Sequence, residues 1–356
     1  DFFLFYYPGL INRYKEYLPV TENTPFISLG EGNTPLVRST TIGPSIGCEN
    51  LFFKLEGCNP TGSFKDRGMV MAVARALEQK KTRIVCASTG NTSASASAYG
   101  ARYGLKSLVL VPAGEIALGK LLQAMAYGAR ILAVDGSFDD AFETVRSLVE
   151  IMDMELVNSI NPYRIEGQKT TALEIVDSLG EAPDFICIPV GNAGNITSYW
   201  DGFKTYYEHG KSVNLPRMMG FQAVGAAPIV NGEKVDNPET IASAIRIGNP
   251  ASWGKALNAR DESNGLIDVV TDDQIINSYL RLSREEGIFC EPASAAAVAG
   301  FLRLPDLGFD LSDKTVVCIL TGNGLKDPDV SEKQATVEIE IVDHDVEAVL
   351  KLLQNY

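Results

Sequence analysis

A lysine within the stretch NPTGSFKDRG is the side chain of this sequence best placed for covalent chemistry. The stretch follows a short apolar strand pattern at 51–55 and opens a helical pattern at 64–80. Ser63 stands where a helix N-cap is expected, and Asp66 follows it in the first turn. Lys65 is therefore predicted beside the positive end of the helix dipole, which should lower its pKa and free its amine to attack a carbonyl. The alternative is a solvated lysine that merely begins a helix.

A second segment, STGNTS at Ser88–Ser93, has the composition of an anion site. It lies between a strand pattern and a helix of small residues, and Gly90 and the hydroxyl side chains leave backbone N–H groups free at the helix start. Phosphate and carboxylate both suit such a site. The alternative is a well-capped helix without a ligand.

A third segment, GNAGN at Gly191–Asn195, follows the apolar strand pattern FICIPV and precedes an amphipathic helix. Its glycines allow the backbone to approach an anion closely, and successive N–H groups can form a nest over a phosphate. The dinucleotide fingerprint G-x-G-x-x-G is not matched, so a nicotinamide cofactor is a poor fit.

The segment NSINPYRIEGQKT places Arg164 close to Ser159. The planar guanidinium group of arginine matches a phosphate with two parallel hydrogen bonds. The alternative is an ion pair with a surface carboxylate such as Glu166.

These motifs together resemble the fold-type II pyridoxal-phosphate enzymes over about residues 10–330. The stretch KLEGCNPTGSFKDRGM resembles their lysine signature, while SFKDRG and GNAGN resemble the threonine synthase family among them. The resemblance implies that pyridoxal 5′-phosphate is the cofactor and that Lys65 carries it as a Schiff base. It also suggests that AIRIGNPASW (244–253) and FCEPASAAAVAG (289–300) are structural landmarks, the second being a helix of small residues for close packing.

The resemblance further implies which residues form the site. Asn91 would lie against the phenolic oxygen of the cofactor, and the hydroxyl of Thr321 would meet its pyridine nitrogen without holding that nitrogen protonated. The cup for the cofactor phosphate would consist of Gly191, Asn192, Ala193, Gly194 and Asn195. The substrate, with its carboxylate and its own phosphate, would be bound by Ser88, Thr89, Asn91, Thr92, Ser159, Arg164 and Asn192.

The implied reaction converts O-phospho-L-homoserine and water into L-threonine and phosphate, by γ-elimination and β-addition of water, as the last step of threonine biosynthesis. Lys65 would also act as the general base, in a carbon–oxygen lyase that releases phosphate. The alternatives are a threonine or serine dehydratase of the same fold, which needs no second phosphate site, and a catalytically inactive relative. Asn323 stands where members of the family commonly have a histidine, and Val224 where they often have a glutamate. These two departures bear on the rate or on substrate detail rather than on the cofactor.

Composition argues against several other classes of protein. The formal charge of −14, from 31 basic and 45 acidic residues, disfavours nucleic acid or an anionic membrane as partner. No apolar run has the length of a membrane span, and His209 and His344 are too few for a zinc site or a histidine triad. The six scattered cysteines predict buried free thiols in a reducing, cytoplasmic compartment. The resemblance suggests a homodimer.

Alternating strand and helix patterns predict an α/β fold with mostly parallel sheets covered by helices. Strands are predicted at 51–55, 83–87, 107–111, 130–134, 185–190, 217–223 and 315–320. Helices are predicted at 64–80, 92–103, 118–127, 138–149, 167–179, 195–207, 238–246, 272–286 and 292–302, with a short one at Leu10–Tyr17. We expect the two-lobed fold-type II architecture, with a larger cofactor-binding lobe (1–52 and 146–356) and a smaller mobile lobe (53–145). The tail from Ala335 alternates as VEIEIV and then becomes helical.

Overall fold

The structure is a computed structural model that describes residues 7–115, 118–136, 138–334 and 339–353. Its strands are β1 (Leu36–Arg38), β2 (Asn50–Leu55), β3 (Arg83–Ala87), β4 (Lys106–Pro112), β5 (Arg130–Val134), β6 (Glu155–Leu156), β7 (Phe185–Pro189), β8 (Arg217–Ala223), β9 (Leu266–Val270) and β10 (Thr315–Leu320). Its helices are α1 (Leu10–Arg13), α2 (Lys65–Glu78), α3 (Asn91–Tyr103), α4 (Leu118–Ala126), α5 (Phe138–Ile151), α6 (Pro162–Gln168), α7 (Thr170–Leu179), α8 (Gly194–Glu208), α9 (Pro228–Asn231), α10 (Trp253–Glu262), α11 (Asp272–Glu285), α12 (Pro292–Arg303), α13 (Pro328–Gln334) and α14 (Val346–Leu353).

The strands form two sheets. The larger sheet has the order β1-β2-β10-β7-β8-β9, in which only the β1–β2 pair is antiparallel, and the smaller has the parallel order β5-β4-β3-β6. The chain leaves the larger sheet after β2, builds the smaller sheet, and returns at β7. Because the carboxyl ends of parallel strands share one edge of a sheet, loops distant in sequence meet there.

The bounds 53–145 of the smaller lobe stay a prediction. By sheet membership, residue 53 lies within β2 of the larger sheet, while the strands of the smaller sheet lie between Arg83 and Leu156. The short strand β6 has only two residues, too few for its pattern to be read from sequence.

The elements on which the site depends agree with the predicted positions to within a few residues. The predicted helix 167–179 is instead two helices, because α6 begins at Pro162 with Asn161 as its N-cap and the chain breaks at Lys169 before α7. The strands β1, β6 and β9 and the helices α9, α10 and α13 were not predicted. Only Ala256 and Ala259 of α10 are buried, so this helix lacks the apolar stripe on which such predictions depend.

The predicted helix at 238–246 is wrong. Only Ser243–Ile245 forms a single 3₁₀ turn there. The preceding backbone is held by distant partners, since Thr240 Oγ1 and Ile241 N donate hydrogen bonds to the Asp272 carboxylate at 2.5 and 3.1 Å. Tertiary hydrogen bonds have therefore replaced those of a helix at this position.

Helix α12 is the helix of small residues predicted from FCEPASAAAVAG, and it packs tightly on the larger sheet. A Cβ at Gly300 would lie 2.2 Å from the ring of Phe221 in β8, so no larger residue fits there. The start of α12 lies at the carboxyl edge of the sheet, because Glu291 N donates to the carbonyl oxygen of Gly322, two residues after β10, at 3.0 Å.

Two other features bear on the predictions from composition. All six cysteines are free, and five are buried, whereas Cys58 is exposed rather than buried as predicted. None of the described helices combines the length and the apolar character needed to cross a bilayer. Of the predicted tail pattern, residues 335–338 lie outside the described part, while α14 matches its helical half.

Candidate active site

Lys65 is the first residue of α2, at the carboxyl edge of the larger sheet. The helix N-cap is Phe64, without a side-chain cap, so the prediction that Ser63 caps this helix is wrong. The reason is that Phe64 N donates a hydrogen bond to the Thr321 carbonyl oxygen at 3.0 Å. This bond holds the backbone so that the helix begins one residue later than predicted. Asp66 turns inward and accepts hydrogen bonds from the backbone and hydroxyl of Thr61 at 2.7 and 2.6 Å.

The amine of Lys65 is tuned toward its neutral form. Burial and the charge of Arg164 together lower its pKa to about 7, although the carboxylate of Glu291 opposes them. The Nζ atom lies over the ring of Phe64, 4.4 Å from the centroid. The predicted direction of the pKa shift agrees with the structure, but its main cause is burial rather than the helix dipole.

Glu291 is a residue of this site that the sequence analysis did not assign. It precedes α12, is 3% exposed, and accepts hydrogen bonds from Asn91 Nδ2 at 3.0 Å and Thr321 Oγ1 at 2.9 Å. The carboxylate therefore joins the two residues expected to contact opposite edges of the cofactor ring. A glutamate directly before the proline of a buried helix was the available signal, because charged residues are rarely buried without a specific role.

The segment Gly191–Asn195 leaves β7 and enters α8, which has no side-chain cap at its N-terminus. Ala193 has a left-handed backbone (φ 63°), the turn that points successive N–H groups to one side as an anion nest. Asn195 directs its amide to the Pro189 carbonyl at 2.8 Å, so only its backbone remains for a ligand. The segment AIRIGNPASW packs over this cup, since Ala251 N and Ser252 N donate to Asn192 at 3.1 Å each.

Glycine at 194 offers a direct test of the cup. A Cβ there would meet its nearest atom, Ile165 Cδ1, at 3.4 Å, so Gly194→Ala should fold normally. If a phosphate lies against this backbone, the methyl group should displace it, and loss of one charge-assisted hydrogen bond weakens binding by at least about tenfold. We expect the dissociation constant of pyridoxal 5′-phosphate to rise by that factor in a titration of the apo-protein. Gly114→Ala, whose Cβ meets nothing within 4 Å, is the control, and equal affinity in both variants would remove Gly194 from the cup.

Arg164 is fully buried in α6 and lacks a counter-anion among the described residues. Its Nη1 donates to the Val157 carbonyl at 3.1 Å, but Nε and Nη2 have no hydrogen-bond partner in the described part of the chain. Burial lowers its pKa to about 10, with Cys86 and Asp66 opposing. The predicted alternative, an ion pair with Glu166, is wrong, because Glu166 pairs with Lys169 at 2.6 Å. A buried cation with two free donors is the composition of an anion site.

The remaining predicted residues lie on loops that follow strands of both sheets. Ser88, Thr89 and Thr92 follow β3, Ser159 follows β6, and Asn192 follows β7, and all five are partly exposed. Within the described part of the chain, no hydrogen bond joins Thr92, Ser159 or Asn192 to Arg164. Their assignment to a shared phosphate site stays a prediction.

A network of buried charges holds the segment that carries Lys65. Arg67 Nε and Nη2 donate to the Glu56 carboxylate at 2.7 and 2.8 Å, and Nη1 and Nη2 donate to Glu174 in α7 at 2.8 and 2.7 Å. Lys54 in β2 donates to Glu174 at 3.0 Å. We call Lys54, Glu56, Arg67 and Glu174 the charge network. The charges of its two cations and two carboxylates balance. Because Arg67 follows Lys65 by two residues in α2, the network holds the start of this helix in place.

The network also anchors LGEGNTPL, the segment expected near the substrate cleft. Thr34 Oγ1 donates to Glu56 at 2.8 Å, and Asn33 N donates to Glu174 at 2.7 Å. The loop and the lysine segment are therefore held by the same two carboxylates.

Residues 27–322 of the chain match the family of pyridoxal-phosphate-dependent enzymes. The chain is 56% identical to the threonine synthase of Synechocystis sp., over 97% of this chain and 90% of that protein, and 56% identical to the threonine synthase of Halalkalibacterium halodurans, over 96% of each. It is 50% identical to the threonine synthase of Methanocaldococcus jannaschii, over 92% of this chain and 84% of that protein. The chain belongs to the threonine synthase family. The predicted family, enzyme class and cofactor are confirmed.

Solved structures agree on the fold. The structure of maize serine racemase superposes with a TM-score of 0.72, covering 98% of each chain at 21% identity. The structure of the processed form of threonine deaminase isoform 2 from Solanum lycopersicum superposes with a TM-score of 0.70, covering 90% of this chain and 82% of that one at 19% identity. At these identities the likeness concerns architecture alone, and it confirms the predicted fold-type II α/β class. The dehydratase alternative gains nothing from it.

The described residues fit pyridoxal 5′-phosphate on structural grounds. Lys65 has a pKa of about 7 and supplies a partly neutral amine for the cofactor aldehyde. The uncapped N-terminus of α8 and the left-handed turn at Ala193 suit its phosphate. Asn91 and Thr321 lie on either side of the Glu291 carboxylate and present polar atoms to the same region as Lys65.

Proposed function

We propose that the protein converts O-phospho-L-homoserine and water into L-threonine and phosphate, as a cytoplasmic homodimer in threonine biosynthesis. The observation that carries the proposed substrate is Arg164, a buried guanidinium with two donors unpaired among the described residues, whose charge acts on Lys65. A substrate that ends in a phosphate would supply the missing anion beside the reacting lysine. A hydroxy amino acid such as threonine would leave the cation unpaired.

The bound cofactor supplies an electron sink that makes protons near the substrate amine acidic. Lys65 Nζ would serve as the general base that removes the α-proton and returns it at the end of the reaction. A pKa near 7 suits this exchange, because a general base works best when its pKa is near the working pH.

Binding and orientation fall to the loops around Lys65. Gly191–Asn195 would hold the cofactor phosphate, and Ser88, Thr89 and Asn91 would hold the substrate carboxylate through the start of α3. Arg164, with Thr92, Ser159 and Asn192, would hold the substrate phosphate until it leaves. Two separate anion sites are what distinguish this reaction from a dehydration.

The direct test is an assay of the purified, cofactor-loaded protein on two substrates. We expect phosphate release from O-phosphohomoserine with equal formation of threonine, and much slower keto-acid formation from threonine or serine. A protein that prefers threonine, or that releases no phosphate, would overturn the proposed function.

Arg164→Met separates the phosphate-binding role from a structural one. The substitution keeps most of the buried stem and removes the charge. Hydrogen bonds to charged groups contribute roughly 1.5–3 kcal/mol, so kcat/KM for O-phosphohomoserine should fall at least about tenfold. The slow reaction on threonine should change far less, because that substrate has no phosphate to lose. Equal losses on both substrates would make Arg164 structural, and Arg260→Met, which breaks only an exposed pair with Asp261, is the control.

A further inference from the structure

The turn that precedes Lys65 is held by two side chains that come from different sheets. Lys326 lies in a 3₁₀ turn after β10 of the larger sheet, and its Nζ donates to the Thr61 carbonyl oxygen at 3.0 Å. Gln123 lies in α4, between β4 and β5 of the smaller sheet, and its Nε2 donates to the same oxygen at 3.3 Å. Lys326 Nζ also donates to Gln123 Oε1. We call Thr61, Gln123 and Lys326 the junction.

A second pair of residues supports the junction from the same two elements. Lys120 Nζ lies 3.6 Å from the Asp327 carboxylate. Lys120 and Gln123 are three positions apart on α4 and therefore share one face of the helix, while Lys326 and Asp327 are consecutive in the loop after β10. The two pairs together fix both the position and the orientation of α4 relative to the larger sheet.

The contact between α4 and this loop is polar rather than part of a packed core. A cavity of about 230 Å³ lies beside the junction, and Lys120 and Asp327 line it from its two sides. The apolar side chains of α4 next to Gln123 do not support the contact, since Leu122 and Met125 are 60% and 50% exposed. The ends of long polar side chains therefore hold α4 against the loop, and they can separate without opening a core.

Thr61 connects the junction to the segment that carries Lys65. The N–H and the hydroxyl of Thr61 donate to the Asp66 carboxylate at 2.7 and 2.6 Å, and Asp66 directly follows Lys65. Ser95 Oγ in α3 donates to the same carboxylate at 2.6 Å. One hydrogen-bonded chain thus links the loop after β10, the turn before Lys65, and the helices α2, α3 and α4.

We propose that Gln123 and Lys326 are positioning residues that set the distance between the substrate-binding loop of the smaller sheet and the cofactor site of the larger sheet. The inference rests on the proposed function, in which the loop after β3 holds the substrate carboxylate, whereas Lys65 and Gly191–Asn195 hold the cofactor. The substrate would then bridge the two sheets, while the cofactor phosphate and the amine that bonds the cofactor belong to the larger one. Loss of the junction should weaken substrate binding far more than cofactor binding.

Gln123→Met is the first test, because it keeps the size of the side chain and removes its hydrogen bonds without changing a charge. In the cofactor-loaded enzyme, KM for O-phosphohomoserine should rise about tenfold, the effect of losing one hydrogen bond to a charged group. The values of kcat and of the dissociation constant of pyridoxal 5′-phosphate should stay within about twofold of wild type. Gln79→Met, which changes an exposed glutamine directly after α2, is the control.

Lys326 tests the same contact through its charged partner. Lys326→Arg keeps the charge and a donor and should retain most of the affinity for the substrate. Lys326→Met should raise KM at least as much as Gln123→Met, because it also removes a charge that acts on Glu291. Since the two residues share one contact, the double variant should raise KM by much less than the product of the single effects. An unchanged KM in Gln123→Met, or equal losses of substrate and cofactor affinity, would overturn the inference.

Hydrogen–deuterium exchange keeps this inference distinct from the proposed function. In the cofactor-loaded protein without substrate, the amides of α4 and of the turn at 59–62 should exchange faster in Gln123→Met than in wild type, while those of α8 should not change. Unchanged exchange in α4 would overturn the inference alone. A wild type that does not turn over O-phosphohomoserine would overturn the proposed function, and with it the role of the junction in substrate binding.

Discussion

Lys65→Ala is expected to lower turnover by about 10²–10⁴-fold, the usual contribution of one positioned acid–base group. The variant also removes the amine that bonds the cofactor, so the visible absorbance of the lysine-bound cofactor should disappear. The cup at Gly191–Asn195 is untouched, and cofactor should still be retained without a covalent bond. Steady-state kinetics, an absorbance spectrum and equilibrium dialysis measure the three effects separately.

The control for this variant is Lys211→Ala, which removes an exposed lysine from the loop after α8. It should leave turnover, spectrum and cofactor retention unchanged. A Lys65→Ala protein that keeps near-normal turnover would refute the assignment. If cofactor were lost altogether, the cup would contribute less to binding than we propose, while the role of Lys65 would stand.

The same substitution at the two buried arginines near the site should change stability by very different amounts. Arg67→Met leaves Glu56 and Glu174 buried with one cation between them, and breaking a buried ion pair lowers the free energy of unfolding by about 3–5 kcal/mol. Arg164→Met removes a charge that has no counter-ion among the described residues and only one hydrogen bond, so this free energy should fall by no more than about 1 kcal/mol, or rise. Urea unfolding of the apo-proteins gives both values.

The control for these two substitutions is Arg146→Met, which breaks an exposed ion pair with Glu143 and should change the unfolding free energy by about 0–1 kcal/mol. The ion pairs of Glu174 with Arg67 and Lys54 should also be resistant to acid. Burial alone would raise the pKa of Glu174, but Arg67 and Lys54 hold it at about 2. Its stabilisation is therefore complete above the ordinary carboxyl pKa of 4.5 and lost only as the pH falls toward 2. Similar stability losses in Arg67→Met and Arg164→Met would contradict the distinction between them.

The local features of the site were predictable because short-range patterns determine them. Lys65, the Asn91 loop and Gly191–Asn195 each follow a recognisable strand and open a helix, and within each sheet the carboxyl ends of the parallel strands share one edge. The direction of the pKa shift of Lys65 was also predictable. Its cause was not, because burial and the charge of Arg164 depend on elements that come together only in the folded chain.

The features of the site that sequence reasoning missed depend on distant partners. Glu291 bonds to Asn91, 200 positions away, and no local pattern shows that pairing. The N-cap of α2 moved from Ser63 to Phe64 because of a hydrogen bond to Thr321. Arg67 was visible as part of the signature, but its partner Glu174 lies in an amphipathic helix where a glutamate usually indicates a solvated face.

The charge network has a consequence for how the protein is made. Glu174 lies 107 residues after Arg67 and 120 residues after Lys54, so ribosomal synthesis at roughly 5–20 residues per second separates the two ends of the network by roughly 5–24 seconds. During that interval the nascent chain holds the whole lysine signature but lacks the carboxylate that completes its anchoring. The reactive amine is thus fixed in place only after α7 has been synthesised, and a translation product that stops before Glu174 would have the sequence of the site without its geometry.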